Sequence, residues 1–480
     1  MAFTASEETL LRQLIEAFQN GKRLSDLPDA RGTNPYDLYV EVLDIDGESK
    51  KAALATLLPY LEEQCAYGIE RDTTVSSPAC TRVGNAALHK SLPIQSRMRG
   101  VLLNDDGEVV EYLNPSDWTG QQRDGSRGQV MVEIPLHYRR FITYGNKQRV
   151  MLSEFPLPGY LQVPKGYVSA NEATVQRSTN KLASVVNNTA DYRGGNNDST
   201  LDGTVKSLLG VPASAISRTN FRIYARNRKP GSSEWNCMTY NMHKTIYWLY
   251  VVEYANLNIQ LPYNAELTTD GYRQGGLGQG VTNIHGQKWD AFNSQNPFIP
   301  CGYTDSLGNG TGVVPFVMPA GYDTEPCTTY VPRYRGIQNP FGHISKWTDG
   351  INVCVSPTED NGGDGLSKVL VCSDPEKFKD TGYNGYRHVG NADRNGGFIK
   401  EVIFGEEGDI IPSICSGAGS STFFCDYYRT HVFNNEVLTG LIFGGSANAG
   451  SETGLACAQA RFDSSFKATF VGSRLCFLPE

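Results

Sequence analysis

The sequence predicts an α+β protein in three parts. These are an N-terminal helix and linker over residues 1–36, a β-rich middle over 37–160, and a C-terminal region over 161–480. Two helices, a small mixed sheet and long ordered loops are expected in the last part. Three observations carry this. A single amphipathic stripe stands alone at the N-terminus. Alternating apolar runs bounded by Gly, Asp and Asn fill residues 95–160. Beyond them, Gly/Asn/Tyr-rich loops such as DYRGGNNDSTLDG and DGYRQGGLGQG separate short strand-like runs and only two strong helical patterns.

Thr4-Ala5-Ser6-Glu7 reads as a capping box. Leu10, Leu11, Leu14, Ile15 and Phe18 follow at helical spacing, and the pattern stops near Gly21. Residues 22–36 are polar with two prolines and read as a linker. A short tethered helix cannot bury its own stripe, so it either folds back on the body or packs against copies of itself or a partner, and a docking or self-association role is expected. Next come a strand in LYVEVLDI, a turn at Asp46-Gly47, and a helix from Ser49 carrying Leu54, Leu57, Leu58 and Leu61, kinked at Pro59. GVLLN, GEVVEYL and QVMVEIPLHYRRFITY give the middle its strands. In the C-terminal region, Ser217 caps a first helix. A second runs roughly from Cys237 to Asn256, with apolar residues on most sides, which marks a buried central helix. Strands are expected at HVFNN, VLTGLIFGG and ATFVGSRLCFLP.

Charge and composition narrow the function. Lys plus Arg number 43 against 51 Asp plus Glu, a net charge of −8, which disfavours a grip on a phosphate backbone, so no nucleic-acid partner is expected. No apolar run approaches the ~18 residues of a membrane span, so no membrane insertion is expected. The N-terminus carries Glu7 and Glu8 instead of a basic n-region, so export through a signal peptide is not expected. The 11 cysteines include no C-x-x-C and read as buried thiols.

The sequence offers no chemistry-bearing motif. The seven histidines form no H-x-H, H-E-x-x-H or Cys/His cluster. Gly275-Gly276-Leu277-Gly278-Gln279-Gly280 does not fit G-x-G-x-x-G and reads as a loop. The acidic loop Glu359 to Gly365 has carboxylates suited to Ca²⁺ but lacks the EF-hand pattern, and reads as a solvated turn. Glu406, Glu407 and Asp409 share a tight turn, where neighbouring carboxylates point apart instead of facing across a cleft. No catalytic residue, metal site or cofactor is expected.

Two groups of segments carry a resemblance. Val331-Pro332-Arg333-Tyr334-Arg335-Gly336-Ile337, Asn339-Pro340-Phe341-Gly342-His343 and Lys346-Trp347-Thr348-Asp349-Gly350 form one. Gly444-Gly445-Ser446, Gly450, Gly454-Leu455 and Gly472-Ser473-Arg474-Leu475-Cys476-Phe477 form the other. Together they resemble the C-type-lectin-like fold of formylglycine-generating-enzyme relatives and of the variable proteins of diversity-generating retroelements, over roughly residues 160–480. More broadly, Arg71-Asp72-Thr73-Thr74, Gln129-Val130-Met131-Val132-Glu133-Ile134-Pro135 and Phe298-Ile299-Pro300-Cys301-Gly302-Tyr303 resemble fibre proteins of tailed phages of gut Bacteroidales, the crAss-like group included.

The oxidase branch of the resemblance implies two close cysteines after a G-G-S stretch, a thiolate pair suited to Cu(I). Here Gly444-Gly445-Ser446 is followed by Cys457 alone, so that chemistry is not expected. The binding branch implies that the stretch before the last strand is displayed toward ligand. On this chain that stretch holds Asn448, Ser451, Glu452, Thr453, Gln459, Arg461, Asp463, Ser464 and Phe466. The implied protein is a phage virion fibre or spike, on tail or head, assembled in the host cytoplasm. It would bind a bacterial surface glycan or protein receptor and meet other virion proteins through its N-terminal helix, as a homotrimer. The alternatives are a structural virion adaptor, such as a collar or hub, and a capsule-degrading enzyme.

Overall fold

The computed structural model describes residues 39–43, 49–320 and 325–479. The N-terminal helix and linker expected over 1–36, and the turn at Asp46-Gly47, lie outside them. What is described is a mixed fold, mostly strand with few helices.

The description begins with an antiparallel hairpin, Tyr39–Leu43 against Ser49–Ala53. The helix expected from Ser49 therefore starts later, as α1 (Leu54–Cys65), with Pro59 inside it. A strand partner across a short connection outweighs the leucine period for the first five residues.

Strand Ala66–Asp72 then enters a five-stranded antiparallel sheet. Its order is Leu161–Val163, His137–Tyr144, Lys147–Ser153, Ala66–Asp72 and Thr81–Gly84. Helix α2 (Ala86–Ser91) leaves it, its first N–H groups capped by the Asn85 side chain.

A six-stranded antiparallel sheet joins middle and C-terminal residues. Its order is Trp235–Cys237, Leu475–Phe477, Gly166–Ser169, Gln129–Ile134, Arg99–Leu103 and Val109–Tyr112. The expected boundary between residues 160 and 161 thus falls between two adjacent strands of one sheet. The mixed sheet is larger than expected, with eight strands built around Ser345–Val355 and Val437–Phe443. Two of its pairings are parallel: Tyr427–Thr430 with Ala458–Ala460, and Ser345–Lys346 with Val471–Gly472. HVFNN is not a strand. The chain extends at Tyr427–Thr430 instead, where the backbone finds Ala458–Ala460 as its partner.

Both expected C-terminal helices form. Helix α3 (Arg218–Arg226) begins at Ser217, whose hydroxyl accepts the Asn220 N–H. Arg222 on it pairs with buried Asp349 at 2.5 Å and with Asp380 at 2.9 Å, which pins the helix to strand Ser345–Val355. Helix α4 (Tyr240–Tyr254) is capped by Thr239, and every residue on it except Asn241 is buried. Ile246, Trp248, Val251 and Val252 lie in one core cluster with Tyr67, Phe141, Ile351 and Phe443, so this core spans both parts of the chain. The charges buried on α4 are matched, as desolvation demands. Lys244 lies 2.8 Å from Asp409, and Glu253 lies 2.6 Å from Arg335. A further helix that sequence reading missed, α5 (Gly286–Asn293), packs through Trp289 and Phe292.

The last strand is held by its own motif. The guanidinium of Arg474 donates to the carbonyls of Ser169 at 3.0 Å and Asn339 at 2.6 Å, and Ser473 Oγ donates to the Trp347 carbonyl at 2.9 Å. Behind it, His343 Nε2 accepts the Phe298 and Ile299 N–H groups. That leaves Nδ1 as the protonated nitrogen, donating to Glu172 at 2.5 Å. Burial alone would raise the Glu172 pKa, but Lys346 and His343 outweigh it and hold the group at about 2. His343 is thus a positioned core histidine.

Candidate functional site

The stretch that the resemblance assigns to display is shaped at its start by a glycine turn. Strand Val437–Phe443 ends at Gly444 and Gly445, both in the left-handed region at φ +93° and +69°. A Cβ on Gly445 would stand 2.1 Å from Thr453 Cγ2, so only glycine lets the loop fold back this closely. The chain then makes a 3₁₀ turn at Gly450–Glu452 and returns as strand Ala458–Ala460.

That return strand lies parallel to Tyr427–Thr430, with Arg429 in register with Gln459. The result is an open cleft of about 370 Å³, lined in part by Arg429, Ser446, Asn448, Glu452, Gln459 and Arg461. Gln295, Ala449 and Phe470 complete its wall.

Four of the nine displayed residues, Asn448, Glu452, Gln459 and Arg461, come together here. The other five do not. Ser451 is exposed but lies outside the lining. Thr453 is a correction: it is fully buried, and its hydroxyl donates to the Gly450 carbonyl, so it supports the turn from inside. Asp463 accepts the Ser465 N–H at 2.8 Å and closes a separate turn. The Ser464 carbonyl accepts the Arg218 N–H at 3.1 Å. Phe466 stacks on Phe462 at 3.7 Å and packs against the core.

The cleft is polar and electrostatically uneven. Arg429 is ion-paired to Glu452. Arg461 donates to Gln459 Oε1 at 3.2 Å and has no carboxylate partner among the described residues. Partial desolvation first, and the Arg429 charge second, lower the Arg461 pKa. Ser446 Oγ donates to Asn448 Oδ1 at 3.0 Å. Amides, a hydroxyl and guanidinium groups thus converge on one opening, with Phe470 as an apolar wall. Such a set can exchange many hydrogen bonds with a hydroxyl-rich ligand. The lining holds one carboxylate, Glu452, whereas glycoside cleavage uses two across the scissile bond.

Sequence reading missed Gln295, Arg429 and Phe470. Arg429 arrives through a parallel pairing and Gln295 from the end of α5, and neither contact leaves a local pattern in the sequence.

The other motifs take structural places. All 11 cysteines are free, and most are buried. Burial raises the Cys457 pKa to about 12, well away from thiolate chemistry. In the acidic loop, Asp364 is ion-paired to Lys368. Among the described residues, no group of three or more His, Cys, Asp or Glu could hold a metal ion. No helix among them is long and apolar enough to cross a membrane.

No family model matches the chain, and no curated protein does. Among solved structures, it is similar to one named Major Tropism Determinant U1 Variant. The identity is 12%, over 93% of this chain and 96% of that one, with a TM-score of 0.25. A likeness at that score does not establish a shared fold.

Proposed function

We propose that the chain is a receptor-binding component of a phage virion, and that the cleft around Asn448, Glu452, Gln459 and Arg461 takes the host-surface ligand. One observation carries this reading. Residues assigned to ligand display by resemblance, 448 and 452 on a loop and 459 and 461 at a strand, line a single polar cleft. The two helices, the mixed sheet and the glycine-shaped loop support a lectin-like reading of residues 161–480. The polar lining favours a surface glycan over a protein receptor, because hydroxyl-rich ligands match amide and guanidinium donors. Attachment to tail or head, and assembly as a homotrimer, belong to the same proposal.

The test is binding of the labelled chain to gut Bacteroidales cells, native, periodate-oxidised or protease-treated. Saturable binding that oxidation abolishes and proteolysis spares is the expected result. Absence of saturable binding to every strain tried would contradict the reading.

A further inference from the structure

A second cleft, of about 600 Å³, shares no residue with the first and falls within the size range of small-molecule sites, about 300–1,000 Å³. It opens between edge strand Leu161–Val163, the segment 373–376 and residues 478–479, above the first turns of α4.

Its walls invert the usual order of burial. Leu161 and Arg139 stand directly opposite in an antiparallel register, so their side chains share a face. The leucine is 43% exposed and the arginine 8%. Hydration would place them the other way round. Strand alternation explains the geometry: His137, Arg139 and Phe141 all point inward, so a guanidinium occupies a position of core pattern.

The buried charge is under-used. Arg139 Nη1 donates to Thr245 Oγ1 at 3.1 Å, while its Nε has no hydrogen-bond partner. No carboxylate lies within ion-pair distance among the described residues, in contrast to Lys244 beside it, which has Asp409 at 2.8 Å. Asp409 also accepts from Tyr240 at 3.0 Å and is already satisfied. Most acids of the cleft are spoken for. Glu234 is held by Lys229 at 2.6 Å, Asp374 by Lys377 at 2.8 Å and Glu407 by Arg387 at 2.8 Å. Glu376 lies exposed at the rim. The arrangement therefore offers one desolvated cation inside and exposed or half-buried aliphatic surface beside it, on Leu161, Val163 and Leu478. A desolvated guanidinium gains most from a carboxylate, which its donors can hold through charge-assisted hydrogen bonds.

We propose that this cleft is a second binding site, for a small amphiphilic carboxylate whose acid group sits on Arg139 and whose aliphatic body lies against Leu161. The site is independent of the receptor cleft and stands or falls apart from it.

The probe is octanoate below its micelle concentration, titrated calorimetrically into the full chain. Saturable binding is expected. 1-Octanol, which keeps the body without the acid, and acetate, which keeps the acid without the body, should each bind at least about tenfold more weakly. Arg139→Gln retains a donor for Thr245 and removes the charge, and should weaken octanoate by about tenfold or more. Leu161→Asn changes a half-exposed wall residue and should weaken it several-fold. If Arg139→Gln does not fold, the three-ligand comparison and Leu161→Asn decide. No saturable heat with octanoate on the folded chain would overturn the proposal. So would equal affinity for octanoate and 1-octanol, or octanoate affinity unchanged in a folded Arg139→Gln or in Leu161→Asn.

Discussion

Asp426 is a buried carboxyl whose partners are backbone groups in the loop beside the first cleft. Its Oδ2 accepts the N–H groups of Ala456 at 2.7 Å and Cys457 at 3.1 Å, just before strand Ala458–Ala460. Burial pushes its pKa up to about 7, and the two N–H bonds only partly offset this. The folded value lies above the unfolded one of about 3.9. Its contribution to stability is therefore fully present below about pH 4 and is lost as pH rises through about 7, at about 1.4 kcal/mol per pH unit in that window. Asp426→Asn can accept the same N–H groups without ionising. The melting temperature of Asp426→Asn minus that of the parent should therefore grow between pH 5 and about pH 7 and level off above it. A difference independent of pH would show that Asp426 does not titrate in this range.

Among the elements, the turn at Gly444-Gly445 sets the path of the loop that lines the cleft. Gly445→Ala meets Thr453 at 2.1 Å and a left-handed φ of +69°. The expected cost is about 2–4 kcal/mol, from strain plus overpacking, read as a lower urea midpoint. A midpoint unchanged from the parent would show that the turn relaxes freely.

The elements also show what the sequence discloses. Helix α3 was legible because Ser217 is a local cap, and α4 because its apolar residues run all round it. Of the nine residues the resemblance singles out, four line the cleft, and no local pattern in the sequence marks them. Helix α5 was missed because eight residues opening on Gly286 carry too few turns to show a period. The strand Tyr427–Thr430 and the start of α1 were misread because distant or cross-hairpin backbone partners settled them. The same holds for Arg429 and Gln295 in the cleft. Thr453 was misread because a threonine in a loop gives no sign of which way its hydroxyl turns.

Across the whole molecule, the six-stranded sheet ties the last described strand to strands of the middle region. Strand Leu475–Phe477 lies between Trp235–Cys237 and Gly166–Ser169, and the latter pairs with Gln129–Ile134. Removing residues 473–480 deletes that strand and the Arg474 clamp, so the loss should reach elements before residue 160. Hydrogen exchange is expected to show strand Gln129–Ile134 unprotected in the truncated chain. Retained protection there would show that the middle region folds without the C-terminal one.

The cleft at the return of the loop is proposed to take the host ligand. Its most direct test is cell binding by Asn448→Ala/Arg461→Ala beside the parent, with circular dichroism and melting temperature matched. Both side chains reach solvent, so the fold should survive. Saturable binding by the parent and at least about a tenfold loss in the double variant are expected. Equal binding by the two chains would place the receptor site elsewhere.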